Sequence, residues 1–315
     1  MRAVGILNFG DPDVLQVVDL PEVHPAQGEV RIRVHAAAVN PTDLMLRNGS
    51  RAEALSTVTP PYIPGMDVAG VIDEIGPVSE TDLSVGALVM AMVVPVGSHG
   101  AYRESIVLSI DAVTKAPNGF SHPEVSTLPM NGLTARQSLD QLCLTTGQTI
   151  AVTGAAGIYG GYVIQIAKHE GLRVIADASP TDEALVNSLG ADIIVPRGDD
   201  FSEQVRRVMP EGVDGLADGA VLTELAVGAV RDGGTFASVR GWRGTGERDI
   251  TFHRTSVRDY DHRSDLLDQL RDFAESGVIT LRVAGTYNPE EASEAHRRLE
   301  AVSYTHLRAH ETRHE

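Results

Sequence analysis

The chain has 315 residues, enough for two domains with separate cores, and its 42% apolar content fits a soluble globular protein. A formal net charge of −17 opposes binding to nucleic acid or to an anionic membrane surface. The single cysteine, Cys143, excludes an internal disulfide and a Cys-rich zinc site, and is expected as a buried thiol on a helix.

The N-terminus lacks the basic, apolar and small-residue order of a signal peptide, so a cytoplasmic location is expected. No apolar run reaches the length of a membrane span. Residues 1–35 read as β structure: Met1–Ile6 and Glu29–Val34 alternate as half-buried strands do, with Pro21, Pro25 and Gly28 between them. Pro41 biases Asn40 away from the α region, and Thr42 or Asp43 is placed to begin a short helix. Residues 50–60 are small and polar without a period and read as a mobile surface loop. A Pro64-Gly65 turn leads into a β run that reaches Ile72; Val85–Val94 and Gly100–Val107 read as further strands. The first third is therefore a β-rich domain of short strands.

The pattern changes after Pro123. Leu128–Ala135 leads into an amphipathic helix through Leu142. Thr149–Ser179 follows as a βαβ unit: apolar run Ile150–Val152, glycines 154, 157, 160 and 161, a helix, Gly171, and a second apolar run Val174–Ala176. In such a turn the missing side chains let backbone approach a pyrophosphate, and free N–H groups at the helix start face its charge. An ordinary strand–helix turn is the plainer alternative. Helices over Thr181–Leu189, Phe201–Met209 and Leu222–Val230 alternate with strands at Asp192–Val195, Gly212–Ala217 and Gly234–Val239. That alternation predicts an α/β fold with a parallel sheet covered on both faces and ligands at the carboxyl ends of its strands. A helix over 260–277, a strand over Leu281–Tyr287 and a helix over Pro289–Ala301 complete the reading.

Six stretches together resemble the medium-chain dehydrogenase/reductase superfamily in its zinc-free quinone-oxidoreductase branch. They are VNPTDLMLRNG (Val39–Gly49), IPGMDVAGVIDEIG (Ile63–Gly76), HGAYRESIVL (His99–Leu108), LPMNGLTARQSL (Leu128–Leu139), VTGAAGIYG (Val152–Gly160) and EEASEAHRRLE (Glu290–Glu300). The resemblance implies a Rossmann doubly wound parallel sheet (121–259) inserted in a GroES-like β-rich domain (1–120, completed by 260–301). It also implies hydride transfer from NADPH to a quinone or enone, and a homodimer. Zinc enzymes of the superfamily carry Cys where this chain has Asn40, and Gly-His-Glu where it has Gly65-Met66-Asp67. Amide and thioether are poor zinc ligands, so no catalytic metal is expected.

Asn40 and Asp43 are the catalytic candidates that the resemblance implies. Asn40 would hydrogen-bond an acceptor oxygen, or simply cap backbone in an Asn-Pro turn; Asp43 would lie near the site, or serve as an N-cap. The cofactor set implied is Asn131, Thr134, Gly154, Ala155, Ala156, Gly157, Ile158, Tyr159, Gly160, Ala178, Ser179, Arg197 and Val239. Ala155 stands where the usual first glycine of G-x-G-x-x-G would be, and Tyr159 replaces a small apolar residue. Met45 and Arg51 occupy positions that are aromatic in some relatives, which leaves the acceptor open.

NADPH is favoured over NADH because Ala178, aligned without gaps from Arg173, suits a 2′-phosphate. Ser179 and Thr181 offer hydroxyls and Arg197 a guanidinium fork. A one-residue slip would instead make Asp177 the acid that binds an NAD ribose, and Arg197 has a plain reading as a solvated surface residue. After Ala301 the chain departs from the family pattern. Residues 302–315 resemble a foreign or frame-shifted tail, in which His310–His314 spells HExxH without a metalloprotease fold around it.

Overall fold

A computed structural model describes residues 1–311, with side chains through Ala301. Two compact units divide the chain. One comprises Met1–Met130, Asp261–Asp272 and the segment from Leu281 onward; the other comprises Asn131–Tyr260 and Phe273–Thr280.

The first unit opens with β1 (Arg2–Gly5) paired antiparallel to β2 (Gln16–Asp19). β3 (Glu29–Ala36) leads through α1 (Pro41–Arg47) to β4 (Asp67–Ile75), β5 (Leu88–Met92), β6 (Ser105–Ser109) and β7 (Val113–Lys115). These five strands form one antiparallel sheet in the order β6-β3-β4-β5-β7. Alternation along β3 sends Val30 and Ile32 into a core with Val68, Ile72, Val89 and Ile106. α2 (His122–Ser126) and α3 (Pro129–Leu142) follow.

The second unit holds the expected doubly wound parallel sheet. β8 (Thr149–Thr153), α4 (Ile158–His169), β9 (Arg173–Ala178), α5 (Glu183–Ser188), β10 (Ile193–Pro196), α6 (Phe201–Val208), β11 (Val213–Asp218), α7 (Glu224–Val227), β12 (Val230–Ser238) and β13 (Thr251–Arg254) give the strand order β10-β9-β8-β11-β12-β13. All its pairings are parallel. β8 is buried at every position, as a central strand covered on both faces must be. Ile175, Leu216, Val230 and Phe236 pack with Phe201 and Val205 of α6 on one face. α8 (Ser264–Glu275) and α9 (Ala292–Glu311) complete the chain.

Several expectations are corrected. Leu281–Tyr287 is not a strand: among the described residues it has no ladder partner, and only Leu281 is buried. Thr251–Arg254, with no expected element, is the edge strand of the parallel sheet. Gln16–Asp19 is a strand within the 1–35 stretch read as β, where no separate strand was expected. The helix expected over Leu222–Val230 is one turn, because β12 already begins at Val230. Residues 50–60 include a 3-10 turn, Glu53–Leu55, which buries Leu55 with Ile6, Leu46 and Tyr62. Cys143 is exposed rather than buried. It lies just past the end of α3, where a φ of +49° turns the chain, and its thiol donates to the Asp140 carbonyl at 2.9 Å. The side chains of His306, His310 and His314 lie outside the described residues. Among the described residues no helix is long and apolar enough to cross a membrane.

Candidate functional site

The sequence candidates fall into two groups, one in each unit. In the first unit, Asn40 ends the extended segment after β3 and stands at the N-cap of α1, with Pro41 as the first helical residue. Asp43 is therefore at the third helical position, not the N-cap. Its carboxylate accepts the Asn40 backbone N–H at 2.8 Å and the Gly65 N–H at 2.8 Å, with the Tyr102 hydroxyl at 3.5 Å. The Asn40 amide works both ways: its oxygen accepts the Asp43 backbone N–H in a capping box, and its Nδ2 donates to Asp67 at 2.6 Å. Asp67 also accepts the Met130 N–H at 2.7 Å. Beside it the Met66 sulfur accepts from the Thr42 hydroxyl at 3.1 Å.

Asn40, Asp43 and Asp67 are 3%, 1% and 0% exposed. Burial disfavours carboxylate charge. It raises Asp43 to about 6 against its N–H and hydroxyl donors, and raises Asp67 to about 7, with the nearby Asp43 charge adding to the effect. A neutral histidine lies behind them: the His296 Nε2 is 3.4 Å from the Tyr102 hydroxyl, and burial, with the Arg47 charge, lowers His296 to about 4. Arg47 is buried too and pairs with Glu300. Asp67 and His296 were not among the sequence candidates; Asp67 was visible only as the residue after Met66.

In the second unit the turn residues Gly154, Ala155, Ala156, Gly157, Ile158, Tyr159 and Gly160 join the end of β8 to the first turn of α4. Gly154 has φ +68°, and a Cβ there would stand 3.0 Å from the Ala220 nitrogen. A Cβ on Gly160 would collide with the Gly154 carbonyl. The helix therefore packs against a turn that only glycine permits at these two positions, and this leaves a cradle at its N-terminus. Gly157 is the N-cap and brings no side chain to the first-turn N–H groups.

Several members of the turn have internal partners, among them Gly157, whose N–H donates to the Gly154 carbonyl at 3.0 Å. The Ala155 N–H donates to Asp177 at 2.9 Å. The Tyr159 ring packs under Gly219 and its hydroxyl meets the Ser138 hydroxyl at 2.8 Å, so this side chain anchors α4 to α3 rather than facing the cradle. Asp218 closes the far wall, accepting Thr153 Oγ1 at 2.6 Å and the Leu222 and Thr223 N–H groups at 3.0 and 2.9 Å.

Ala178, Ser179 and Arg197 do come together at the carboxyl ends of β9 and β10, where the Arg197 N–H donates to the Ala178 carbonyl at 3.0 Å. Ala178 is buried, and the Ser179 hydroxyl donates to Asp182 at 2.7 Å. The Arg197 guanidinium lies 3.5 Å from Asp177 and 3.2 Å from Asp182. Asp182 was missed at the sequence level; it follows Ser179 by three residues, the spacing of a local side-chain turn. Asn131 and Thr134 lie on the first turns of α3, half-buried and buried, and Val239 follows the end of β12.

Comparison with known proteins adds identity to this geometry. Residues 26–118 match the alcohol dehydrogenase GroES-like domain and residues 159–274 the zinc-binding dehydrogenase family. A 2-methylene-furan-3-one reductase of Solanum lycopersicum is 30% identical over 76% of this chain, and the chain spans 62% of that protein's length. The human quinone oxidoreductase is 27% identical, with 95% of this chain and 94% of that protein covered. Among solved structures, an NAD-dependent alcohol dehydrogenase matches with a TM-score of 0.84 at 30% identity, covering 96% of both chains. A mycobacterial protein complexed with NADPH matches at 0.83 and 28%, covering 96% of this chain and 97% of the other.

Proposed function

The chain belongs to the medium-chain dehydrogenase/reductase superfamily as a quinone-oxidoreductase-like member, and on that premise we propose that it transfers hydride from NADPH to a quinone or similar electrophilic carbonyl without zinc. The observation that carries this reading is the Asn40–Asp67 pair. An amide fills the position where zinc relatives place a thiolate, and its partner is a buried acid. Amide, thioether and one carboxylate make a poor zinc donor set. Without a Lewis acid an alkoxide loses its stabiliser, whereas a quinone is already electrophilic.

When bound, NADPH supplies the hydride from its nicotinamide ring. The Gly154–Gly160 cradle and the start of α4, with glycine at its N-cap, fit a pyrophosphate; Arg197 stands beside the 2′ position but is shared with Asp177 and Asp182. The Asn40 amide donates to the acceptor oxygen as negative charge grows there. Asp67 holds a proton up to about pH 7, which keeps a second negative charge away from that oxygen. Hydride supplies one hydrogen and both electrons, and the single proton that completes the hydroquinone comes from water. The tomato relative's name favours an enone as the second acceptor class. A homodimer through β13 is part of this reading, since among the described residues that edge strand pairs only with β12.

The test follows NADPH oxidation across a panel of quinones and enones, with Asn40→Ala alongside. The expected loss in kcat is about a hundredfold. An unchanged rate in that variant removes Asn40 from the mechanism. NADPH binding without turnover of any acceptor replaces the enzyme reading with a nucleotide-binding one.

A further inference from the structure

Within the first unit, the start of α1 is tied to the turn before β4 at two levels. The Asn40 side chain reaches Asp67, and the Asp43 carboxylate bridges the Asn40 and Gly65 backbone N–H groups. The backbone bridge sets the spacing on which the side-chain pair depends. Its carboxylate has a further donor, the Tyr102 hydroxyl at 3.5 Å. The same turn seats Tyr102: Gly65 takes φ +100°, and a Cβ there would stand 2.6 Å from the Tyr102 Cδ1. The Tyr102 N–H donates to the Pro64 carbonyl at 3.0 Å.

His296 of α9, 194 residues along the chain, brings its Nε2 to 3.4 Å from the Tyr102 oxygen. The two rings meet edge to face at 6.0 Å and 77°. Among the described residues His296 is the one fully buried histidine, and its Nδ1 has no hydrogen-bond partner there. A buried N–H without an acceptor is costly, so the ring proton belongs on Nε2, where it donates to the Tyr102 oxygen. That leaves the Tyr102 proton for the Asp43 carboxylate or the Ala38 carbonyl, both at 3.5 Å, and charge favours the carboxylate. Burial and the two nearby acids raise Tyr102 well above its ordinary value, so the hydroxyl keeps its proton and remains a donor. Donation thus runs from His296 through Tyr102 to Asp43.

We propose that Tyr102 and His296 are positioning residues for hydride transfer: they support the Asp43 carboxylate that fixes the Asn40 and Gly65 segments. The functional part rests on the role given to Asn40 above. A protonated Asp43 is a weaker acceptor, and its own O–H competes with its donors. Burial raises Asp43 to about 6 against those donors, so it carries its charge at neutral pH by a narrow margin. That charge in turn helps Asp67 to keep its proton. The titratable groups facing Asp43 are Tyr102, from the segment before β6, and Asp67 of β4. Arg47 of α1, paired with Glu300 of α9, acts on His296. His296 is lowered to about 4, so it stays neutral where Asp43 titrates.

The test measures kcat/KM for menadione against pH and follows carbon NMR titration of labelled aspartate in the full-length protein, with Asp43→Asn identifying the Asp43 signal. The variants are Tyr102→Phe, His296→Leu, the two combined, and His296→Gln. The unmodified protein should lose kcat/KM as pH falls through about 6. Tyr102→Phe keeps the ring against Gly65. It should move both that limb and the Asp43 titration up by about half to one pH unit, a modest shift because a 3.5 Å contact is long. At pH near 6 that is a loss of about two- to fivefold in ionised Asp43. His296→Leu should shift both in the same direction. The double variant should go no further than Tyr102→Phe, because His296 acts through Tyr102. His296→Gln keeps an N–H donor and should restore most of the shift. A packing role alone would lower the rate or the stability at every pH and leave the limb in place. That outcome, or an Asp43 titration unmoved in both single variants, overturns the proposal. If the titration moves while no quinone is turned over, the hydrogen-bond chain stands and only the hydride-transfer reading fails.

Discussion

At the β9–β10 end of the parallel sheet, Arg197 stands between Asp177 and Asp182. At the β12–β13 end, Arg240 and Arg254 face no carboxylate among the described residues. Both ends present arginine at the edge where ligands of such sheets bind. Their fields are opposite: two carboxylates and one guanidinium leave the first end net negative, while the second is positive. The residue that looked like a phosphate ligand is thus committed within the fold, and the unmatched positive charge lies at the other end. A guanidinium's availability depends on what it already holds, which residue identity alone does not reveal.

The largest effect should come from Asp177→Ala. It leaves the Ala155 N–H without its acceptor and removes one of the carboxylates beside Arg197. A loss of about 2–3 kcal/mol is expected in denaturant unfolding. Both cofactors should weaken together, because the carboxylate supports the turn. Selective loss of NADH binding would instead make Asp177 a ribose ligand, and the contrast between the two ends would collapse.

Asp182→Asn should have a smaller and more selective effect. Asp182 is 3.2 Å from Arg197, and neutralising it frees the fork for a 2′-phosphate. Fluorescence titration should show NADPH tightening several-fold to about tenfold, with NADH nearly unchanged. Equal tightening of both would mean that Arg197 does not read the 2′ position.

A third change probes the first unit, where charge is buried rather than exposed. Asp67 is raised to about 7, so it is protonated below that pH and ionised above it. An anion beside Asn40 opposes charge growing on the acceptor. kcat/KM with menadione should therefore fall a few-fold as pH rises through about 7, and Asp67→Asn should flatten that limb. The same raised pKa weakens folding as pH climbs from the ordinary Asp value of 3.8 toward 7, because only the folded state resists ionisation there. A falling rate limb that survives in Asp67→Asn assigns it to another group.

Much of this was legible in the chain. The glycines of the β8–α4 turn declare themselves because a side chain at 154 would be strained at φ +68° and tight against Ala220, and one at 160 would collide with the Gly154 carbonyl. The alternating βα pattern gave the parallel sheet, since its central strands are continuous apolar runs. The edge strand Thr251–Arg254 was not legible: its four residues, T-F-H-R, carry too short and polar a pattern. Leu281–Tyr287 alternates like a strand yet is not one, because alternation does not supply a partner. Asp182 and Asp67 escaped for a different reason. Their importance comes from side chains brought together across 15 residues to Arg197 and 27 to Asn40, and spacing does not encode such meetings.

The central claim is that this chain moves hydride from a reduced nicotinamide to an electrophilic carbonyl at a site that needs no metal. Its most direct test is the rate of NADPH oxidation with menadione, measured after exhaustive dialysis against a metal chelator and again after zinc is added back. Acceptor-dependent oxidation should survive dialysis and should not rise with zinc. Oxidation that is lost on dialysis and returns with zinc, or no oxidation at all, would contradict it.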